Sequence, residues 1–258
     1  MTPVWLIARS VLIEAVRRKE IYAIVLISTL LIGAVMTVDF FNLEGLTKFY
    51  REVALQVMSA ATGLTVIVLA ARQLPREFEN RTIYPLLAKP ISRLTFLLGK
   101  LLGVMLAAAF CYGLFMLVFI LGTFYLGGEI PVGLFLQFLY LQMLKMLLLA
   151  ALSFWLSMVV NLDAAIALGV IFFFASSVMT NAFTLLYPFA DPFGQGTITV
   201  LNYALPQLAL LDLTEKTVHS EFWPPLNLGT MFALTAYAGF YILVFFGAAW
   251  YCFRRRPL

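Results

Sequence analysis

Residues 101–126 read LLGVMLAAAFCYGLFMLVFILGTFYL, an unbroken apolar stretch with no Asp, Glu, Lys, Arg or His. As a helix rising about 1.5 Å per residue it extends roughly 39 Å, more than the ~30 Å hydrocarbon core of a bilayer. A surface helix of a soluble domain carries a polar face, and this stretch has none. It therefore reads as a membrane span whose excess length is taken up by tilt or by projection beyond the bilayer.

Five more runs of similar character flank it, at residues 21–38, 53–71, 134–160, 164–187 and 228–253. The first is long for a signal peptide and lacks a small-residue exit, so it is read as a span as well. Composition agrees. The 258 residues are 63% hydrophobic and 12% charged, about half the charge of a soluble domain. The expected fold is all-α: a polytopic membrane protein of six transmembrane helices (residues 21–258) with no soluble domain. Ahead of them, in residues 1–20, Trp5, Leu6, Ala8, Leu12, Ile13 and Val16 form an apolar stripe opposite Arg9, Glu14, Arg17, Arg18 and Lys19. That pattern suits an amphipathic helix lying in the membrane interface; a short positively charged lead-in is the plainer reading.

The basic residues sort by side. Arg9, Arg17, Arg18 and Lys19 precede the first span. Arg72, Arg76, Arg81, Lys89, Arg93 and Lys100 lie between the second and third, and Arg254, Arg255 and Arg256 follow the sixth. These 13 of the 17 Lys and Arg fall on one side, and Lys48, Arg51 and Lys216 on the other. The positive-inside rule then places both termini in the cytoplasm of a multi-pass protein of the cell (inner) membrane. An even number of spans requires the same. Because the +4 net charge is spent on these anchors, nucleic acid is not an expected partner. With one histidine and with Cys111 and Cys252 in or beside apolar runs, neither a disulfide nor a metal site is expected.

Three outer segments result, at residues 39–52, 127–133 and 188–227. The last is 40 residues long and rich in Pro and Gly. A structureless loop of that length is uncommon, so short helices packed on the outer mouth are expected, one of them near residues 205–218.

On the inner side, residues 72–94 read RQLPREFENRTIYPLLAKPISRL. Both charge signs occur, and Pro75 and Pro85 leave room between them for a helix of about two turns. Acidic Glu77 and Glu79, then Thr82, Leu86-Leu87, Pro90, Ser92-Arg93 and Gly99-Lys100, follow in order. This series resembles the cytoplasmic signature of ABC type-2 permeases, the membrane subunits of ATP-binding-cassette exporters, although Arg81 stands where that family commonly has Gly. The layout of an interfacial helix, six spans and a long fifth-to-sixth outer segment is also similar to the family's.

The resemblance implies a permease subunit that couples ATP hydrolysis by a separate subunit to export of a substrate. Residues 72–94 would be its coupling loop, with Arg76, Glu77, Glu79, Arg81 and Thr82 against the ATP-binding subunit. ATP and Mg would be bound by that partner and no cofactor by this chain. Pairing with a second copy or with a related permease is implied too. Consistent with this, no phosphate-binding loop of the G-x-x-x-x-G-K-[ST] type occurs in the chain, which is not expected to be an enzyme.

Two spans carry polar stripes: Gln56, Ser59, Thr62 and Thr65 in the second, and Ser176, Ser177, Thr180, Asn181 and Thr184 in the fifth. At helical spacing each stripe shares a face, able to line a translocation path or to bond helix to helix. Gly99, Gly103 and Ala107 make a small-residue face suited to close packing. Lys145 is the one basic residue inside a span. If its helix begins near Leu134 the ammonium lies close to mid-bilayer, where charges are costly and usually functional, whereas Gln137 and Gln142 favour an interfacial start that puts it near the outer boundary, from which it would snorkel. No acidic partner for it is legible in the sequence.

Two other function classes fit less well. A secondary carrier needs acids within the membrane to bind its coupling ion, and every Asp and Glu here falls in a loop or at a helix margin. A membrane enzyme needs clustered carboxylates or a nucleophile–base pair, and neither occurs. A subunit that transmits mechanical work without moving cargo remains an alternative to an exporter.

Overall fold

The computed structural model describes residues 3–35, 43–79 and 92–255. Among these, nine α-helices and no strands occur. They are α1 (Pro3–Val16), α2 (Lys19–Val35), α3 (Leu43–Glu79), α4 (Arg93–Tyr125), α5 (Val132–Val159), α6 (Leu162–Leu186), α7 (Pro192–Ala204), α8 (Thr214–Val218) and α9 (Leu228–Arg255). All-helical structure is what the bilayer demands, because a helix satisfies its backbone polar groups within one segment. Five of the nine, α3, α4, α5, α6 and α9, are long and apolar enough to cross a membrane, and the apolar part of α2, Ile21–Val35, is shorter.

Local chemistry sets where these helices start and stop. Ser92 caps α4 by accepting a bond from the Thr95 amide at 3.0 Å, and Asn161 caps α6 through the Ala164 amide at 3.1 Å. Asp191 does the same for α7 through Gly194, with Pro192 following where its missing N–H costs nothing. Helix α4 ends in a left-handed turn: Gly127 has φ +70°, its amide bonds Phe124, and the Gly128 amide bonds Thr123. Only glycine takes that conformation cheaply, which places the tight return into α5 at this point.

Helix α3 is the central post, with Tyr50, Leu55, Met58, Ile67 and Leu74 fully buried along it. Its contacts with α5, α4, α2 and α6 make it the hub of the bundle. It is also longer than the sequence suggests. It begins in what reads as an outer loop and continues through Pro75 to Glu79. Pro75 therefore does not open a separate short helix; residues 75–79 extend the span. Such an extension places the first residues of the 72–94 segment on a rigid rod.

Helix α1 runs beside the first half of α4, where the small-residue face does the work expected of it. A methyl group on Gly99 would lie 2.8 Å from Ile7 Cβ, and one on Gly103 would lie 2.6 Å from Val11 Cβ and 2.9 Å from the Ala8 carbonyl. The face of α1 that is buried is Ile7, Ala8, Val11 and Ala15, while Trp5, Leu6 and Ile13 remain exposed. Of the expected stripe, only Ala8 is fully covered. Leu12 and Val16 are half-buried, and Trp5, Leu6 and Ile13 form an apolar outer side, which sequence periodicity alone does not separate from the packed one.

Between α6 and α9 the outer segment holds the short elements expected: a 3-10 turn at Tyr187–Phe189, α7, a second 3-10 turn at Leu208–Leu211, and α8. The second turn and α8 pack against α3, α5 and α6.

Candidate functional site

Two polar constructions stand out in this apolar bundle, one where three spans end and one midway along α3, α5 and α6.

The first gathers the ends of three spans. Lys100, on the second turn of α4, is buried and donates to Glu77 Oε1 at 2.5 Å and to Gln73 Oε1 at 3.1 Å, both on the last turns of α3. Its ammonium also lies 5.6 Å from the centre of the Phe96 ring. Arg93 donates to the carbonyls of Phe253 and Arg254 at 3.0 and 2.8 Å, satisfying the open C-terminal end of α9 where helix dipole and missing amides favour a cation. Phe253 stacks on Phe96 and meets Phe78 edge-on, which closes the cluster with apolar contact. On the outside, Arg76 approaches Glu14 of α1 at 3.5 Å, and Glu14 also pairs with Arg18. These exposed pairs are worth at most about 1 kcal/mol each.

The residues expected to form the coupling site thus divide. Glu77 is turned inward onto Lys100 and Arg76 sideways onto α1. Arg81 and Thr82 lie outside the described residues, as does the side chain of Glu79. What the structure adds is that both flanks of residues 80–91 are anchored, by α3 through Glu77 and by α4 through Ser92, Arg93 and Lys100.

The second construction centres on Lys145. It is the fourteenth residue of α5 and is 4% exposed. Its ammonium donates to Asp212 Oδ2 at 2.8 Å and to Ser59 Oγ at 3.2 Å, and sits 5.4 Å from the centre of the Phe173 ring. Gln142, one turn earlier, donates to the same Ser59 oxygen at 2.7 Å. Asp212 lies just after the Leu208–Leu211 turn, and its other oxygen accepts from the Thr214 amide at 3.0 Å and the Thr214 hydroxyl at 2.6 Å. Burial pushes the Asp212 carboxyl up, but the Lys145 charge and these hydrogen bonds outweigh it and hold the group below the ordinary aspartate range. Lys145 therefore does not snorkel to water. It is neutralised in place by an acid contributed from the outer segment.

Around this pair, other polar contacts tie the outer segment down. Arg51 donates to the Thr217 carbonyl at 2.7 Å, and Lys48 pairs with Glu221 at 3.1 Å. Gln137 makes a reciprocal pair of bonds with the Leu226 backbone at 3.0 and 2.8 Å. Ser176 accepts from the Leu208 amide at 2.8 Å, and the Tyr237 hydroxyl accepts from the Gln207 amide at 2.8 Å.

Among the described residues, no hydrogen bond of Ser59, Thr62 or Thr65 reaches the stripe on α6. Ser59, Thr62 and Thr65 are buried, but Gln56 is exposed. On α6, Ser176 is buried against the outer segment, Thr180 bonds back to the Ser176 carbonyl, and Ser177 is exposed. The side chain of Asn181 lies outside the described residues. The helices α3 and α6 instead meet through glycines, Gly63 against Phe173 and Gly169 against Ile67. Below the outer segment, Leu152, Trp155, Phe172, Met179, Phe183 and Phe245 line an apolar groove of about 470 Å³ between α5, α6 and α9. Sequence reasoning missed Asp212. The available signal was an acid isolated in the apolar stretch ALPQLALLDL, two residues before a Thr able to hold its carboxylate.

Apolar spanning helices joined by buried polar ties and braced at both ends define a multi-pass α-helical membrane protein. The chain belongs to the ABC-2 family of transporter proteins, whose family model, described as ABC-2 family transporter protein, matches residues 5–258. It is thus the membrane component of a transporter that works with an ABC ATP-binding subunit. A comparison with curated proteins finds no match.

Proposed function

We propose that this chain is the permease subunit of an ABC exporter, converting ATP hydrolysis on a separate subunit into movement of a substrate across the membrane. ATP and Mg belong to that subunit. Six spans are completed by α2, whose apolar run continues in sequence beyond Val35, with α1 at the inner interface and both termini cytoplasmic. Two copies form a homodimer, since C2 pairing is the commonest closed assembly. The apolar surface of α6 and α9 supports this: only 22% and 11% of their spanning windows are buried within one chain.

The observation that carries the coupling role is the inner brace. Glu77–Lys100 and Arg93 with the end of α9 tie three helices to the two flanks of residues 80–91. A push on that loop is therefore delivered to rigid rods instead of being absorbed locally. In this reading Glu79, Arg81 and Thr82 touch the ATP-binding subunit, while Arg76 and Glu77 hold the loop's root.

Testing uses Glu79→Ala with Arg81→Ala in the full chain co-expressed with its ATP-binding subunit. Truncating one side of a buried interfacial charge pair costs about 2–5 kcal/mol, roughly 30-fold or more in affinity. The double variant is expected to insert normally and lose the copurifying subunit, while Glu129→Ala on the outer side retains it. Undiminished association and coupled turnover in the double variant would reduce the loop to a topological anchor.

A further inference from the structure

Helices α6 and α9 both pack on α5 but scarcely touch each other. The gap between them is the apolar groove. On its α6 side Leu168, Phe172, Ala175, Met179 and Phe183 recur every three or four positions, a single line along the helix of about 22 Å. Trp155 of α5, stacked on Phe245 of α9 with ring centres 5.7 Å apart, forms the opposite wall. Residues 205–207 border the outer end, and hydrogen bonds fix them there. The Ser176 hydroxyl accepts from the Leu208 amide and the Tyr237 hydroxyl from the Gln207 amide, so neighbouring residues of one strap bond α6 and α9.

Depth, polarity and width together select what fills this space. The walls belong to spanning helices, and Leu168 and Ile171 at the rim are 43% and 61% exposed, so the groove opens sideways onto hydrocarbon. Its hydroxyls are already committed: Ser176 to the strap, and Thr180 to the Ser176 carbonyl at 2.9 Å. None of the buried orphaned polar atoms of the chain belongs to a lining residue, so nothing here awaits a headgroup or holds a water. The volume of about 470 Å³, spread along about 22 Å, leaves a mean cross-section of about 21 Å². That is roughly a quarter of the section of a helix, which is about 10–12 Å across. A helix of a second copy rests at most on the rims, whereas a single hydrocarbon chain has the shape of the space.

We propose that this groove is a binding site for one acyl chain of a bilayer phospholipid, which packs between α6 and α9 in place of the direct contact they lack. The strap at residues 205–208 closes the site at its outer end. The site is separate from the coupling loop, and its occupant is held whether or not the complex is turning over.

The experiment reads Trp155, which lines the groove. The full-length chain, with Trp5→Phe, Trp223→Phe and Trp250→Phe leaving Trp155 as its one tryptophan, is placed in nanodiscs of phosphatidylcholine brominated along its acyl chains, a contact quencher of indole emission. It is then extracted into an unbrominated detergent. The expected result is loss of most of the emission in the nanodisc, retained after extraction, because a held chain leaves with the protein. Ala175→Phe, which fills the middle of the groove, should abolish the retained quenching. Val178→Phe, at a position 67% exposed and outside the groove, should preserve it. Quenching that vanishes on extraction would overturn the held chain, and equal retention in Ala175→Phe would overturn the site. Full emission even in the nanodisc would mean that a second copy covers the groove, and would overturn the lipid. Should the single-tryptophan chain fail to fold, native mass spectrometry of the parent, Ala175→Phe and Val178→Phe counts the phosphatidylcholine that each retains; fewer molecules on Ala175→Phe alone are expected, and equal numbers on all three would overturn the proposal. Because neither nucleotide nor the ATP-binding subunit is present, any of these failures leaves the coupling reading to its own test.

Discussion

Removing Glu77 should do more damage than removing Lys100, although each breaks the same ion pair. The reason is burial. The Lys100 side chain is 6% exposed and that of Glu77 16%, with nitrogen and oxygen 2.5 Å apart. In Glu77→Ala the buried ammonium retains only Gln73 at 3.1 Å and the Phe96 ring. Stranding one partner of a buried pair costs about 3–5 kcal/mol, and these residual contacts place the expectation at the lower end, near 3. Lys100→Met instead preserves volume and leaves Glu77 on the last turn of α3 with access to water, for about 1–2 kcal/mol. The double change Glu77→Gln with Lys100→Met removes both charges and should fall within about 1 kcal/mol of the parent. By the scaling of domains of similar length, the first variant melts roughly 6–12 °C lower in mild detergent.

Coupled ATPase activity then separates two roles. If Glu77 acts by bracing, the double variant recovers both melting temperature and coupling. If Glu77 touches the ATP-binding subunit directly, the double variant recovers melting temperature alone. A Glu77→Ala protein that melts with the parent would refute the brace altogether.

Three further outcomes are expected. Gly103→Val drives a branched side chain into Val11 and the Ala8 carbonyl, so α1 must leave α4 at a cost of about 1–3 kcal/mol, read as lower thermal stability and faster proteolysis of residues 3–16, whereas the same change at Gly113, where nothing lies within 4 Å, is tolerated. Because the folded Asp212 carboxyl is held below its ordinary range, the stability it contributes is present in full above about pH 4 and is lost as pH falls through its lowered value; protease cleavage of residues 205–218 should rise only in that acid window, and in Asp212→Asn that rise should vanish. Cysteines replacing Arg81 and Lys216 should label from opposite faces of the membrane, and labelling from one face would overturn the topology.

Much of this molecule is legible without coordinates because its solvent dictates it. A run such as residues 101–126 has nowhere to be except in hydrocarbon, and a chain in hydrocarbon must bond its own backbone within each helix. Length and charge bias then give the order of the spans, and Gly99 with Gly103 announce a close helix neighbour. The cap residues Ser92, Asn161 and Asp191 act over three positions and can be read the same way.

Only the tertiary structure decided which polar groups meet. Lys145 and Asp212 are 67 residues apart, as Lys100 and Glu77 are 23 apart, and nothing periodic links them. Sequence period identifies a face but not what covers it, so Ser59 and Gln56 look alike until α5 arrives over one of them. Pro75 likewise reads as a break and proves to lie within a helix, since packing around Leu74 and the Lys100 tie hold α3 together past it. A buried charge is stable only beside its counter-charge, and the position of that counter-charge is set by how distant helices pack, which no local stretch of sequence records.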